Sequence, residues 1–343
     1  YRVLLARFLG AERLGIFQML FPFYITLVTL TTAGAPVAVS QIVAQDESVA
    51  APLLRHVWRI TLQMVSILVL FLLILSAPIA HLLYHDGNLA PLIPWFAPAL
   101  IMVAVSAVFK GYFTGIQTMS LTALSQITEQ IFRTGALALI YFGPARWTSG
   151  LRIEWSIWLI GIGEAASTAV LSLGYLRYHP KRPVKALPAA VKKQLHAQFL
   201  KLAMPITMSR LFASVITVIE AGLIPWRMVH AGWSEEHAFR YFGQLSGMAL
   251  PLILFPTTLT FSLSTSLVPV IAEAYGRRNF SRVQHYVTES LKATALFTVP
   301  ITVVMLIIGL PLDDVVFHTQ LTTAVFIPLV LGGAFLYFDM TIS

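Results

Sequence analysis

The stretch T-A-L-S-Q-I-T-E-Q-I-F-R-T at residues 122–134 places polar side chains inside a segment long enough to span a bilayer. Four of them recur at i, i+3, i+4 and i+7, a spacing that aligns them on one face of a helix: Gln126, Glu129, Gln130 and Arg133. A charged group in hydrocarbon costs about 2.5–3.5 kcal/mol on insertion scales. We therefore expect this face to point into a helix bundle or a water-filled cavity.

The composition is that of an integral membrane protein. Of the 343 residues, 57% are hydrophobic and only 11% are charged, and the mean hydropathy is +0.78. Soluble domains carry about 25% charged residues. The sequence contains no cysteine, which excludes disulfides and thiolate metal sites within it.

Apolar runs bounded by charged residues predict an all-α polytopic membrane protein. Nine candidate spans are predicted, at residues 17–43, 59–82, 92–113, 119–142, 154–176, 199–224, 243–271, 291–311 and 322–343.

The basic residues orient these spans. If the loop at 177–198 is cytoplasmic, alternation of the spans places 14 Lys and Arg residues in the cytoplasm and seven outside, with Arg133 and Arg210 in the membrane. This follows the positive-inside rule. The net charge of +8 is therefore explained by topology, and no nucleic-acid partner is predicted.

A weak internal repeat divides the chain into two lobes. A shift of 229–230 residues superposes Pro22 on Pro251 and Pro98 on Pro328. We expect two pseudo-symmetric helical lobes, 1–190 and 191–343, around a central cavity, as in transporters. By the same repeat, the first span of the N-terminal lobe is missing and the C-terminal lobe is truncated in its fourth span, so we expect a fragment of a longer chain.

Four ionisable residues lie at similar depth in the predicted spans, and a fifth, Glu220, lies nearer the outer face. Glu129 and Arg210 fall about ten and eleven residues from the inner ends of their helices, and Glu164 lies about ten from an outer end. Arg133 follows Glu129 by one turn, and Glu220 shares a helix with Arg210. We expect them to line the cavity, with the carboxylates as candidates for ion coupling. The alternative is a Glu129–Arg133 pair that only neutralises itself.

A second polar segment, T-L-T-T-A-G-A-P-V-A-V-S-Q at residues 29–41, surrounds a predicted helix break at Gly34 and Pro36. Thr29 and Thr32 are candidate cavity residues because hydroxyls at a broken helix can face a ligand. Close packing of small residues between helices is the equally weighted alternative.

Motifs for several chemistries are missing. The sequence has no G-x-x-x-x-G-K-[ST], H-E-x-x-H or G-x-S-x-G, so no ATP hydrolysis, zinc protease or serine hydrolase activity and no cofactor are predicted. His81 and His85 have metal-ligand spacing beside Asp86, but without a convincing third ligand no metal site is predicted. Transport would have to draw on an ion gradient or on the gradient of the substrate.

Several segments resemble a known family. These are A-R-F-L-G-A-E-R-L-G-I-F-Q at 6–18, T-A-G-A-P-V-A-V-S-Q at 32–41, K-G-Y-F-T-G-I-Q-T-M-S-L-T-A-L-S-Q-I-T-E-Q-I-F-R at 110–133 and L-A-M-P-I-T-M-S-R-L at 202–211. The sequence is similar to stage V sporulation protein B and its relatives. They form the polysaccharide-transporter branch of the multidrug/oligosaccharidyl-lipid/polysaccharide flippase superfamily.

This resemblance implies a multi-pass flippase of the bacterial cell membrane. It would move an undecaprenyl-linked anionic sugar precursor between leaflets by alternating access, for spore cortex or cell-envelope synthesis. The related lipid II flippases have an arginine-rich segment where this sequence reads Thr29 to Thr32. Arg133, Arg210 or Lys110 would then provide the cationic contact.

The residue roles follow from that implied function. Arg133 and Arg210 would bind pyrophosphate or a sugar carboxylate. Gln126, Glu129 and Gln130 would orient sugar hydroxyls, and a carboxylate would couple transport to Na⁺ or H⁺.

Three alternatives remain open at this point. One is a cation-coupled multidrug efflux antiporter of the same superfamily. Another is an intramembrane enzyme that uses lipid-linked sugars, disfavoured because no large outer loop is present. The third is a non-transporting membrane scaffold, which a cavity closed to both leaflets would favour.

Overall fold

The computed structural model describes residues 1–32, 34–143, 152–178, 189–317 and 323–342. Within these ranges there is no strand, and twelve α-helices are joined by short 3₁₀ and π-helical segments. The helices are α1 Arg2–Thr32, α2 Ala35–Gln45, α3 Ala50–Ile79, α4 Ala97–Gly115, α5 Met119–Tyr141, α6 Arg152–Tyr178, α7 Ala189–His230, α8 Glu235–Phe242, α9 Leu250–Leu254, α10 Thr257–Gly276, α11 Phe280–Phe317 and α12 Thr323–Ile342.

The helices account for the predicted spans. Among the described residues, six helical stretches are long and apolar enough to cross a membrane. Three of the nine predicted spans are not among the six: 119–142, which is α5 with its polar stretch at 122–134; 243–271, which is interrupted; and 322–343, of which only a shorter apolar helix, Val325–Thr341, qualifies. Every one of the nine predicted spans falls on a helix or on consecutive helices. The prediction of an all-α polytopic membrane protein is confirmed.

The predicted break near Gly34 is confirmed. Helix α1 ends at Thr32, and α2 begins at Ala35 with Pro36 in its first turn, where proline needs no hydrogen-bond partner. Gly34 also lets α2 approach α7, because a Cβ there would lie 2.2 Å from the carbonyl oxygen of Ala203. A second irregularity lies inside α1 at Gly10, whose φ of 74° is favourable only for glycine.

The predicted span at 243–271 is not one continuous helix. It starts with a π-helical segment, Gly243–Ala249, continues in the short α9 and reaches α10 after Pro256. Proline removes a backbone donor and clashes with the preceding turn, so the helix is interrupted at this position.

The described residues form two compact units. The first unit comprises Tyr1, Val3–Leu9 and Ile16–Ala238. In it α4 packs against α2, α3 and α6, and α6 packs against α5. Its core is built on apolar residues of α2, α3 and α4 that include Ala38, Val39, Leu53, Val108 and Phe113, all fully buried.

The second unit comprises Arg2, Gly10–Gly15 and Phe239–Ser343. Its core brings Ile253 of α9 against Phe326 and Val330 of α12. The hydroxyl of Tyr337 donates a 2.5 Å hydrogen bond to the carbonyl oxygen of Ile253, which α9 leaves without a helical partner near its end.

The packing units divide the chain after Ala238, whereas the predicted lobe boundary lies at 190. The difference is α7, which packs against α2 of the first unit. The lobe boundary therefore stays a prediction. Of the loop predicted to be cytoplasmic, 177–198, residues 179–188 lie outside the described residues, and residues 189–198 form the start of α7.

Candidate functional site

Polar and charged side chains from three neighbouring helices of the first unit meet in one place. Helix α5 carries Glu129 and Arg133, α6 carries Glu164, and α4 carries Ser106 and Lys110. We call these five residues the ionic cluster. Helix α6 contacts both α4 and α5, so it brings the side chains of the three helices within reach of one another.

Glu129 is the centre of the cluster. Its Oε1 accepts a 2.6 Å hydrogen bond from Nη2 of Arg133, one helical turn further along α5. Its Oε2 lies 3.9 Å from Nζ of Lys110 on α4. Glu129 is only 8% exposed. The carboxylate therefore links two cations on two different helices.

Glu164 is the second carboxylate, and it is also buried, with 9% exposure. Its Oε1 lies 3.8 Å from Nη2 of Arg133, a longer and weaker contact than that of Glu129. Its Oε2 accepts a 3.3 Å hydrogen bond from the hydroxyl of Ser106. Arg133 is therefore shared between two carboxylates, one close and one distant.

Arg133 reaches this position because the residue of α6 that faces it, Gly163, has no side chain. A Cβ at Gly163 would lie 3.0 Å from Nε of Arg133 and 3.1 Å from the carbonyl oxygen of Glu129. The Nε atom is buried and has no hydrogen-bond partner. On another side the guanidinium lies 5.7 Å from the centroid of the Tyr1 ring, a cation–π distance.

The formal charges of the cluster cancel when all four groups are ionised. Lys110 and Arg133 carry two positive charges, and Glu129 and Glu164 carry two negative charges. Pairing of this kind is what makes ionised side chains tolerable between membrane-spanning helices. One guanidinium donor of this set, Nε of Arg133, has no partner. An anion that displaced a carboxylate from Arg133 would leave that carboxylate unpaired unless it took up a cation.

The other predicted site residues lie apart from this cluster or are exposed. Gln126 and Gln130 belong to α5 but are exposed, as are Arg210 and Glu220 on α7. Among the described residues, none forms an ion pair or hydrogen bond with the side chain of Arg210. The predicted face of α5 is therefore divided: Glu129 is buried and Arg133 half-buried, whereas the two glutamines remain outside the cluster.

The threonines near the helix break are buried, at 9% exposure for Thr29 and 8% for Thr32. The hydroxyl of Thr32 donates a 2.7 Å hydrogen bond to the carbonyl oxygen of Val28. This satisfies the hydroxyl within its own helix, as the close-packing alternative requires.

The sequence did not point to Ser106 as a member of the cluster, or to Tyr1 and Gly163 as neighbours of Arg133. For Gly163 a signal was present in G-I-G-E at 161–164, where a residue without a side chain precedes an intramembrane carboxylate. Ser106 lies in an apolar run with no such pattern. Its role depends on the packing of α4 against α6, which a single sequence does not reveal.

The histidines with metal-ligand spacing are used differently from each other. The ring of His81 lies against Gly87, and the ring of His85 lies 5.0 Å from that of Trp226. The side chain of Asp86 accepts a 2.8 Å hydrogen bond from the backbone of Asn88 and caps the following 3₁₀ helix. In the described part of the chain, no three His, Cys, Asp or Glu residues are grouped as metal ligands.

Several curated proteins are similar to this chain. Stage V sporulation protein B of Bacillus subtilis (strain 168) is 28% identical over 309 residues, which are 86% of this chain and 58% of that protein. Sporulation protein YkvU of the same organism is 25% identical, with 92% of this chain and 71% of that protein covered. Its lipid II flippase MurJ is 22% identical, with 86% and 58% covered. The chain thus spans little more than half of two of these relatives.

The fold has a counterpart among solved structures. A multidrug resistance MATE family transporter of the MOP superfamily, in an inward-facing conformation, superposes with a TM-score of 0.71. The match covers 99% of this chain and 76% of the transporter chain at 14% identity, so it shows the fold alone.

Two family descriptions match the sequence. The MatE family matches residues 246–325 only. The polysaccharide biosynthesis protein family matches residues 1–275, most of the chain and all of the ionic cluster. The resemblance to the polysaccharide-transporter branch of the flippase superfamily is confirmed, and the chain belongs to the polysaccharide biosynthesis protein family.

Proposed function

We propose that the protein is a flippase of the bacterial cell membrane, with the loop at 177–198 in the cytoplasm. It carries an undecaprenyl-linked, anionic sugar precursor to the outer leaflet by alternating access. Membership in the polysaccharide biosynthesis protein family supports this role. The name of one relative, lipid II flippase MurJ, supports a lipid-linked cargo, and that of another, stage V sporulation protein B, supports a role in sporulation.

The observation that carries the proposal is the ionic cluster between α4, α5 and α6. In the proposed mechanism, the pyrophosphate of the cargo replaces Glu129 or Glu164 as a partner of Arg133. A guanidinium binds phosphate through parallel hydrogen bonds, and one donor of Arg133 has no partner. Arg210 supplies a second cation from α7. Gln126 and Gln130, exposed on α5, orient sugar hydroxyls.

The same cluster offers a means of coupling transport to a cation gradient. Glu129 holds Arg133 at 2.6 Å, so the arginine is released only when that carboxylate is neutralised or displaced. Binding of H⁺ or Na⁺ at Glu129 or Glu164 would do this, and would make the arginine available to the anionic cargo. Glu220 remains a further candidate for coupling, because it is an exposed carboxylate on α7.

A cation-coupled multidrug antiporter is the second candidate. The fold likeness to a multidrug resistance transporter and the MatE match at residues 246–325 favour it. The two functions separate in one comparison. Expression of the protein in a drug-sensitive bacterium raises drug resistance only if it is an antiporter, whereas reconstituted vesicles translocate a lipid-linked sugar diphosphate only if it is a flippase.

The site assignment is tested with Arg210→Ala and Arg133→Ala in reconstituted vesicles. Both variants are expected to insert and fold, and both are expected to lose translocation of the lipid-linked sugar diphosphate. Arg227→Ala is the matched control, because it removes an exposed arginine from the far end of α7. Translocation at the wild-type rate by folded Arg210→Ala would remove that residue from the site.

A further inference from the structure

A groove of about 780 Å³ lies along one face of α3, away from the ionic cluster. Among the described residues, its lining consists of α3 side chains: Arg55, Trp58, Arg59, Leu62, Gln63, Ser66 and Ile67. All of them are exposed except Trp58, which is half-buried. This surface belongs to the first unit alone, and neither sequence motifs nor the proposed transport mechanism accounts for it.

The groove changes in character along the helix axis. Arg55 and Arg59 lie in the first turns of α3, one turn apart on the same face. Gln63 and Ser66 follow, and Ile67, which is 66% exposed, continues the line into apolar surface. At 1.5 Å per residue, about 12 Å separates Arg59 from Ile67. The groove therefore has a cationic end, a short polar middle part and an apolar end.

Neither arginine of the groove is neutralised by a carboxylate of the described chain. Arg55 and Arg59 take part in no ion pair within it. Trp58 lies between them in sequence, and its ring packs against that of Phe109 at 5.3 Å, which holds the indole at the groove wall. Tryptophan and arginine together are typical of the boundary between headgroups and acyl chains.

The surroundings of α3 indicate a lipid-facing position. Within its spanning stretch, Ala50–Tyr84, the most apolar 18-residue window has a mean hydropathy of 2.5, and only 17% of that window is buried within the structure. Large apolar side chains further along α3 are exposed, such as Leu70 at 57% and Ile74 at 65%. An occupant of the groove therefore extends its apolar part along a surface that already contacts acyl chains.

We propose that this groove binds an anionic phospholipid of the membrane. The phosphodiester lies between the guanidinium groups of Arg55 and Arg59, and one acyl chain runs past Leu62 and Ile67. Arginine suits this role because its fork of donors matches phosphate oxygens. A sugar-diphosphate cargo fits less well, because the described lining offers only two side-chain amide or hydroxyl groups, those of Gln63 and Ser66, for several sugar hydroxyls.

The test is phosphatidylglycerol binding by the whole protein in phosphatidylcholine nanodiscs, measured by native mass spectrometry. The wild-type protein is expected to prefer phosphatidylglycerol over phosphatidylcholine by about tenfold or more. Each basic residue near an anionic lipid contributes about a fivefold gain in affinity. The R55Q/R59Q variant is therefore expected to bind phosphatidylglycerol about 25-fold more weakly.

A matched control separates a specific site from general attraction. R277Q/R278Q removes two adjacent arginines that are exposed at the end of α10, and it is expected to leave binding within about twofold. R55K/R59K keeps the charge but loses the guanidinium fork, so intermediate binding is expected. Equal losses in the control and in R55Q/R59Q would overturn the proposal, as would wild-type binding without preference for phosphatidylglycerol.

A competition experiment tests which lipid the groove binds. Undecaprenyl diphosphate is added in competition with phosphatidylglycerol. If it displaces phosphatidylglycerol more than tenfold better from the wild type, and R55Q/R59Q abolishes this advantage, the groove belongs to the transported lipid and the phospholipid proposal is wrong. If phosphatidylglycerol stays bound to the wild type in the presence of undecaprenyl diphosphate, the proposal holds. It does so whether or not the protein proves to be a flippase, since it does not rest on the proposed function.

Discussion

Arg133 is the residue on which the ionic cluster depends, because it is the one member that contacts both carboxylates. Its bond to Glu129 is short at 2.6 Å, and its contact with Glu164 is 3.8 Å. Both carboxylates attract this one guanidinium, and the nearer one attracts it more strongly. Small changes at either carboxylate are therefore expected to move the guanidinium.

The first prediction concerns charge balance. Glu129→Gln leaves Arg133 with the distant Glu164 and leaves Lys110 without its carboxylate. Removing one partner of a buried ion pair costs about 3 kcal/mol or more. The double variant E129Q/R133Q removes one charge of each sign, so it is expected to be more stable than E129Q alone. Thermal unfolding in detergent checks this, and a double variant less stable than the single one would contradict it.

The second prediction concerns the space that Arg133 occupies. Gly163→Ala places a Cβ 3.0 Å from Nε of Arg133. At this distance the neighbour must shift by a few tenths of an ångström. Because a misplacement of about 1 Å can lower a rate about 10²-fold, translocation is expected to fall by about three- to fivefold. Gly161→Ala is the control on the same helix, because its Cβ makes only ordinary contacts, the nearest at 3.6 Å. Similar rates in both variants would show that Gly163 is not needed for the site.

At this scale the sequence predicts contacts within one helix better than contacts between helices. The i,i+4 spacing of Glu129 and Arg133 predicts their pair, and the structure has it. The addition of Lys110 and Ser106 depends on how α4 packs against its neighbours, which periodicity does not contain. The spacing also does not show which polar residues of α5 are buried. Four polar residues on one face cannot all contact α6, and Gln126 and Gln130 are the two that are exposed.

At the scale of single elements, Gly34 combines two functions. It separates α1 from α2, where Pro36 begins the new helix, and it lets α2 lie against α7. The first function can be read from the order of Gly and Pro. The second cannot, because Ala203 lies far along the chain and only the packed structure brings it near.

The third prediction tests this close approach. Gly34→Ala puts a Cβ 2.2 Å from the backbone carbonyl oxygen of Ala203, and such overpacking costs about 1–3 kcal/mol. A lower melting temperature in detergent is expected. Gly135→Ala is the control: no atom lies within 4 Å of its Cβ, and alanine in a helix is favoured over glycine by about 0.5–1 kcal/mol. A Gly34→Ala variant as stable as that control would contradict the packing.

The ends of the helices are also predicted well in some places and poorly in others. Long apolar runs with few breakers, such as α3 and α11, match their predicted spans, although both helices extend beyond them. The predicted span at 243–271 contains Pro251 and Pro256, and the structure divides it into three helical pieces. A hydropathy average does not detect such breaks, because proline is only mildly polar. The helix is nevertheless interrupted, because proline lacks a backbone donor.

For the whole molecule, the positive-inside rule leads to a fourth prediction, which the absence of cysteine makes simple to check. Single cysteines at Asn88 and Glu235 are expected to react with an impermeant maleimide in intact cells. Cysteines at Lys193 and Arg282 are expected to react only after permeabilisation. All four positions are exposed. Labelling of Lys193→Cys or Arg282→Cys in intact cells would reverse the proposed orientation.

The division of the whole chain was harder to predict than its spans. The repeat offset predicts a boundary at 190, and the compact units divide after Ala238 because α7 packs against α2. A sequence repeat shows which segments of the chain correspond to each other. Compact units show which surfaces are buried together. The two need not agree for a helix that connects both halves.

Translocation of a lipid-linked sugar diphosphate in reconstituted vesicles is the most direct test of the central claim that Arg133 in the ionic cluster binds the anionic cargo of a flippase. The wild-type protein is expected to translocate the lipid, Arg133→Ala is expected to lose translocation while remaining folded, and Arg133→Lys is expected to recover part of it. Wild-type rates in folded Arg133→Ala, or no translocation by the wild type, would contradict the account.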